Sequence, residues 1–207
     1  MGYNNGYDDG HFDGFKEGYK KGSEAGSGGG SGKIVLCYNK NNPGEPLENP
    51  DDIGRVVMTT GDLTEIPDNF FMGWSKLGSV DLPTCKRVGG GAFESSYALN
   101  VKLNLPECTT VDGYGLSYLS AESIHLPKCV SVGEAAFCET YVADEGGLNL
   151  PACTEFGDRA FESCVAKRFV LTAIEMPSES AARQFCERTR LQNSGAVVVF
   201  KNMELHI

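Results

Sequence analysis

LPTC at residues 82–85 returns as LPEC at 105–108, LPKC at 126–129 and LPAC at 150–153. Aligned on the Leu-Pro or Met-Pro pair, prolines fall at Pro83, Pro106, Pro127, Pro151 and Pro177, with spacings of 23, 21, 24 and 26 residues. A second anchor follows in each of the first four units, as Ala92-Phe93, Gly115-Leu116, Ala136-Phe137 and Ala160-Phe161. An earlier half-matching unit, IPDNFF at 66–71, puts Phe71 22 residues ahead of Phe93. Two anchors in phase at this period mark a solenoid, whose units bury their apolar faces only by stacking on one another.

Each unit reads as a short strand ending at Leu-Pro, a turn through xCxxVG, an Ala-Phe corner and a variable return loop. The strand segments are VKLNLP, ESIHLP, GLNLP and AIEMP, all short and alternating. Proline closes a strand where no further ladder donor is needed. Glycine after the apolar residue, in Val88-Gly89, Val132-Gly133 and Phe156-Gly157, suits a turn with positive φ or a close backbone approach. Asp112-Gly113 shifts that pattern by one residue.

Equivalent positions in such a coil stand one rung apart, about 4.7 to 4.9 Å where strands pair. Cys85, Cys108, Cys129 and Cys153 then form a ladder of small side chains inside the turn, since free cysteine is among the most buried residue types. A disulfide between neighbouring rungs is the alternative on distance. Four thiols in a line do not surround a zinc ion, and no CxxC pair is present.

The pattern I/L-P-x-C-x-x-V-G-x-x-A-F, with a further cysteine in AFESC at 160–164, resembles the BspA-like class of leucine-rich repeats over about residues 63–177. The resemblance implies a curved right-handed solenoid used for binding or adhesion, without catalysis. The expected fold is mainly β: a short capped leucine-rich-repeat solenoid of about four to five rungs with an N-terminal Gly-rich tail. Its divisions are a tail and linker at 1–32, an N-terminal β cap at 33–62, the repeats at 63–177 and a C-terminal helix-strand cap at 178–207.

In the first cap, KIVLCYN and GRVVMTT read as two strands joined by a polar loop. In the last, Ser178 or Ser180 caps a helix ending near Leu191 with Ala181, Phe185 and Thr189 on one side, and AVVVF at 196–200 is the final strand. The tail repeats differently, with glycine at 2, 6, 10, 14, 18, 22 and 26 beside the aromatics Tyr3, Tyr7, Phe12, Phe15 and Tyr19. Early Asp8, Asp9 and Asp13 and late Lys16, Lys20 and Lys21 match a helix dipole. Each interior glycine costs up to about 1 kcal/mol, so the segment is either a helix formed on assembly or a disordered tail. GSGGGSG at 26–32 reads as a flexible linker.

The net charge of −10 and a pI near 4.8 argue against a nucleic-acid surface and disfavour an anionic membrane. No run reaches the roughly 18 apolar residues of a membrane span, and MGYNNGYDDG has neither the basic start nor the apolar centre of a secretory signal. DDGHFDG at 8–14 lacks the alternate acids and distal glutamate of a calcium loop, so no metal or other cofactor is expected.

The three histidines, His11, His125 and His206, are scattered, and His125 with Cys129 is the one local nucleophile-base pairing. No hydrolase, metalloprotease or phosphate-loop motif is present, and no enzyme is expected. Aromatics after each corner, Trp74, Tyr97, Tyr118 and Tyr141, form a candidate surface ladder for stacking on sugars or engaging a protein. The partner expected is therefore a protein or a cell-surface glycan, with residues 1–26 reserved for self-association or docking. Glycine-aromatic tails joined to such repeats resemble virion proteins of phages of gut bacteria, which implies display on a virion. A bacterial cell-surface adhesin is the alternative.

Overall fold

The computed structural model describes residues 64–207 except 75–76, 95, 97–99 and 193–194, together with three earlier strands. Those strands are β1 (Tyr19–Lys21), β2 (Ile34–Tyr38) and β3 (Ile53–Met58). The repeats supply β4 (Glu65–Ile66), β5 (Ser79–Asp81), β6 (Arg87–Val88), β7 (Val101–Asn104), β8 (Thr110–Val111) and β9 (Ser120–His125). They continue with β10 (Ser131–Val132), β11 (Tyr141–Val142), β12 (Leu148–Asn149), β13 (Glu155–Phe156) and β14 (Arg168–Leu171). Helix α1 (Glu179–Thr189), β15 (Val197–Phe200) and β16 (Glu204–His206) complete the chain.

The chain coils through about four turns between two sheets. The long sheet has the order β1-β2-β3-β5-β7-β9-β12-β14-β15-β16, with β11 branching from β9, and the short sheet runs β13-β10-β8-β6-β4. Among the described residues the repeat strands pair in parallel, whereas β1 on β2 and β15 on β16 are antiparallel. A reversed strand at each end of the long sheet interrupts the parallel pattern that a further rung would continue.

A third ladder runs along the corners: Phe71 donates its backbone N–H to Ala92, Phe93 to Gly115, Leu116 to Ala136 and Phe137 to Ala160. The phenylalanines stack where they meet, Phe71 on Phe93 at 4.8 Å and Phe137 on Phe161 at 5.8 Å between centroids. At the end of this ladder the last turn of α1 takes over. The carbonyls of Arg188 and Thr189, which have no partner within a helix C-terminus, accept from the N–H groups of Arg159 and Phe161.

The cysteines of LPxC line the inside of the coil. All four are fully buried and free, and each thiol reaches the carbonyl two residues on: Cys85 to Arg87, Cys108 to Thr110, Cys129 to Ser131 and Cys153 to Glu155, at 3.2 to 3.5 Å. A small side chain with a weak donor meets both demands of that turn, apolar burial and a nearby carbonyl.

Register corrects several expectations. AIEMP is not a strand; Arg168–Leu171 is, and Leu148 pairs with Phe169 and Asn149 with Val170. Leu171-Thr172 therefore stands where the other units have Leu-Pro, and Ile174, whose N–H bonds Leu171 as that of Cys153 bonds Leu150, takes the cysteine place. For Gly133 and Gly157 the close backbone approach is the reason that holds, without positive φ: a Cβ there would lie 2.5 and 2.4 Å from backbone atoms of the rung before.

The helix buries Ala182, Cys186 and Thr189, one residue round from the face read off the sequence, and Ser178 caps it by accepting from the Ala181 N–H at 3.2 Å. AVVVF is not the last strand, because β16 folds back on it.

Within the tail, Tyr19–Lys21 is a strand and not part of a helix, with Tyr19 opposite Tyr38. Glycine at every fourth position opposes a helix, while the edge of β2 offers unpaired backbone groups. Tyr3, Tyr7, Phe12 and Phe15 lie outside the described residues, as do the linker at 26–32 and the acids of 8–14.

Candidate binding surface

In the long-sheet strands, residues alternate between the coil interior and solvent. Val80, Leu103, Ile124 and Leu148 point inward, so the residue after each points outward. Those outward residues are Asp81, Asn104, His125 and Asn149, and the strand register sets them side by side on successive rungs. Asn104 donates its amide to the Asp81 carboxylate at 2.8 Å. Among the described residues the side chains of His125 and Asn149 have no partner, and both are exposed. The outcome is a straight polar row set by the backbone, in which no residue type need repeat.

Two irregularities shape the ground beside this row. The β7–β9 register slips between Val101 and Lys102, so Glu122 is an extra residue in β9 that bends outward and pairs with Lys102 at 3.0 Å. One rung on, β9 pairs first with β11 and then, at His125, with β12, while the chain between them leaves the sheet as the loop 143–147. Gly147 returns that loop to the sheet with φ +74, and Asp144 holds it by accepting from the Gly146 N–H at 2.7 Å. Between the bulge and the loop lies an open depression of about 360 Å³ lined by Lys102, Glu122, Ser123, Ala143 and Asp144.

The aromatics read from the sequence do not form one surface. Trp74 is buried at 7% exposure, its ring edge-on to Phe71 at 5.0 Å, and so it belongs to the core. Tyr97 lies outside the described residues. Tyr118 is half-buried in a left-handed conformation, φ +58, and the neighbouring Glu139 carboxylate raises its phenol above the usual range. Of the three described, Tyr141 faces out from the long sheet, at 49% exposure, beside Ser120 on one rung and Val165 on the next.

The offsets from the corner explain the scatter. Trp74 follows its corner residue by three positions, Tyr118 by two and Tyr141 by four, and one position in a strand reverses the side on which a residue emerges. Sequence reasoning misses the polar row, although each of its members precedes Leu-Pro: Asp-Leu-Pro, Asn-Leu-Pro, His-Leu-Pro and Asn-Leu-Pro.

His125 and Cys129 make no catalytic pair, for His125 is exposed on the outer face and Cys129 is buried within. The Cys129 thiol is pushed well above its ordinary range, chiefly by its hydrogen bond with Cys153 and then by burial. Burial raises Cys85 to about 11 and Cys108 to about 12, so these thiols are not nucleophiles at neutral pH. Among the described residues, no group of three or more His, Cys, Asp and Glu side chains is placed to hold a metal ion, and no helix is long and apolar enough to cross a membrane.

Residues 62–182, more than half of the chain, match the family model described as a BspA type leucine rich repeat region, in six copies. Neither the curated proteins nor the solved structures provide a match.

Proposed function

From the chain's membership of the BspA-type leucine-rich repeat family, we propose that it is a non-enzymatic binding protein that attaches to a surface through the outer face of its long sheet. Stacked repeats provide an extended, rigid display of side chains rather than a reaction pocket. The observation that carries the reading is the row Asp81, Asn104, His125 and Asn149: hydrogen-bonding groups in register, outside the core, with two of them unpartnered among the described residues. A bacterial cell-surface adhesin is the setting compatible with the family; display on a virion finds no support in the family match.

The test is binding of fluorescently labelled full-length protein to bacterial and animal cells. The quadruple variant Asn104→Ala, His125→Ala, Asn149→Ala and Tyr141→Ala changes only exposed side chains and is expected to lose binding at least about ten-fold, equivalent to about 1.4 kcal/mol. Equal binding by the variant rejects this face as the contact surface; no cell binding by the parent rejects attachment to these cells. In the same reading, residues 1–26 dock the solenoid or join copies of it. Light scattering is then expected to show an oligomer for the full chain and a monomer for a chain starting at Gly18, which keeps β1 on the edge of β2, whereas two monomers reject self-association.

A further inference from the structure

Resting on that reading, the chemistry of the face narrows what it takes. We propose that the depression beside β9 and the adjoining polar row bind a neutral, hydroxyl-rich oligosaccharide, with Tyr141 stacking on a sugar ring.

Charge is the first argument. The chain carries a net charge of −10. The cations in and around the depression are already matched: Lys102 with Glu122 at 3.0 Å, Lys167 with Glu145, and Arg168 with Glu204 at 3.2 Å. A sulfated, sialylated or phosphorylated chain would find no uncommitted cation among these and would be repelled by the whole molecule. A basic partner would find Glu122 and Glu145 taken by lysines, Asp81 accepting from Asn104 and Asp144 accepting from the Gly146 N–H, so each of these carboxylates already has a donor. A ligand without charge avoids both penalties.

The kind of polar group is the second argument. Carboxamides at Asn104 and Asn149, the imidazole of His125 and the hydroxyl of Ser123 each donate and accept, as a vicinal diol does. Their spacing follows the rungs, about 4.8 Å, so the row from Asp81 to Asn149 spans roughly 14 Å, the reach of a short oligosaccharide. Tyr141 stands opposite Ser120, two residues before the lining residue Ala143, so its exposed ring, an apolar face with a polar tip suited to the C–H side of a pyranose, extends the depression along the strand away from the row.

A protein partner would need apolar anchors in pockets or a free sheet edge. The apolar side chains on this face are Val165 beside Tyr141, which is exposed, and the half-exposed Val170, Val197 and Val199, of which Val170 and Val199 continue the row past Asn149; none of them lines the depression. The loop 143–147 forms a wall on one side and the Glu122 bulge the other, at a volume near the small end of ligand sites.

The full-length protein is applied to printed neutral hexose and N-acetylhexosamine oligomers of graded length, and to their sulfated and sialylated counterparts. Binding is expected to neutral chains longer than a disaccharide and to be unchanged between low and high salt. It is expected to fall at least about ten-fold in Tyr141→Ala and in the double variant Asn104→Ala, His125→Ala. Val130→Ala, exposed near the short sheet, is expected to bind as the parent does. Binding confined to anionic glycans, or weakened by salt, overturns the inference.

Cells oxidised with periodate, which cleaves vicinal diols, separate the two proposals. Cell binding that survives periodate and is still lost in the quadruple variant points to a protein ligand, overturning the glycan and leaving the contact face in place. A parent that binds neither cells nor glycans overturns both.

Discussion

Three glycines separate the energetics of backbone strain from those of close approach, and Gly147 carries both. It sits at φ +74, and a Cβ built on it would lie 2.0 Å from the Arg168 carbonyl oxygen and 2.7 Å from the Arg168 C and N atoms. Gly73 has nearly the same φ, +76, with nothing within 4 Å of such a Cβ. Gly146 has no positive φ, and its Cβ would meet only the Asp144 carboxylate, at 3.2 Å.

Gly73→Ala should therefore show strain alone: about 1 to 2 kcal/mol for a left-handed alanine, less about 0.4 to 1 from the stiffer unfolded chain, or at most about 1.6 kcal/mol. Gly147→Ala adds an overlap with the β14 backbone that no side-chain rotation relieves, bringing the cost to roughly 3 to 5 kcal/mol once overpacking and a weakened ladder bond are included. Gly146→Ala should stay within about 0.5 kcal/mol of the parent. Urea unfolding followed by circular dichroism reads these as midpoint shifts of roughly 1.5 to 2.5 M for Gly147→Ala at a slope near 2 kcal/mol/M, and well under 1 M for the others. A Gly147→Ala variant no less stable than Gly73→Ala would refute the close approach of the loop to β14.

The thiols give a pH test. Cys85 and Cys108 stay protonated in the fold up to about 11 and about 12, whereas an unfolded thiol ionises near 9. Their contribution is thus complete below the unfolded value and is lost as pH rises from about 9 through the folded values. Urea midpoints should fall more steeply over that window in the parent than in a Cys85→Ala, Cys108→Ala variant. At pH 8 iodoacetamide should leave both residues unmodified in the native protein and label them in urea, as mass spectrometry of their peptides would show. Ser178→Ala removes the acceptor for the Ala181 N–H and should cost about 1 kcal/mol in thermal unfolding, with Ser178→Asp restoring most of it. Phe161→Ala, at a ring in contact with Phe137, Phe156 and Phe169, should cost about 3 to 5 kcal/mol by the same urea assay.

The repeat is legible because stacking imposes one residue type on each inward column. Leucine before proline, cysteine in the turn and phenylalanine at the corner all recur for that reason. The limits of the reading have equally physical causes. Met176-Pro177 reads as a fifth unit by its dipeptide, but backbone pairing gives that place to Leu171-Thr172, which lacks the proline. The aromatic ladder fails on offsets: a similar position in a return loop is not the same side of a strand, and Trp74 is buried while Tyr141 is exposed. The loop at 143–147 leaves almost no mark in the sequence, since the Pro127–Pro151 spacing of 24 is within the range of the others, and nothing local says which face it would cross.

The polar row shows why a solenoid's outward face is hard to read by residue type. Inward columns are selected for fit and therefore repeat; the outward position before Leu-Pro has no packing duty, so four rungs carry Asp81, Asn104, His125 and Asn149. Their alignment comes from the backbone pairs Asn104 with His125 and His125 with Asn149, and rigid strands hold the groups in place before any ligand arrives. A uniform row would let a polymer slide by one rung. The Glu122 bulge and the loop returned by Gly147 interrupt the row's surroundings beside β9, and so give the surface a fixed register. Displacing that loop should weaken binding without altering any side chain in the row.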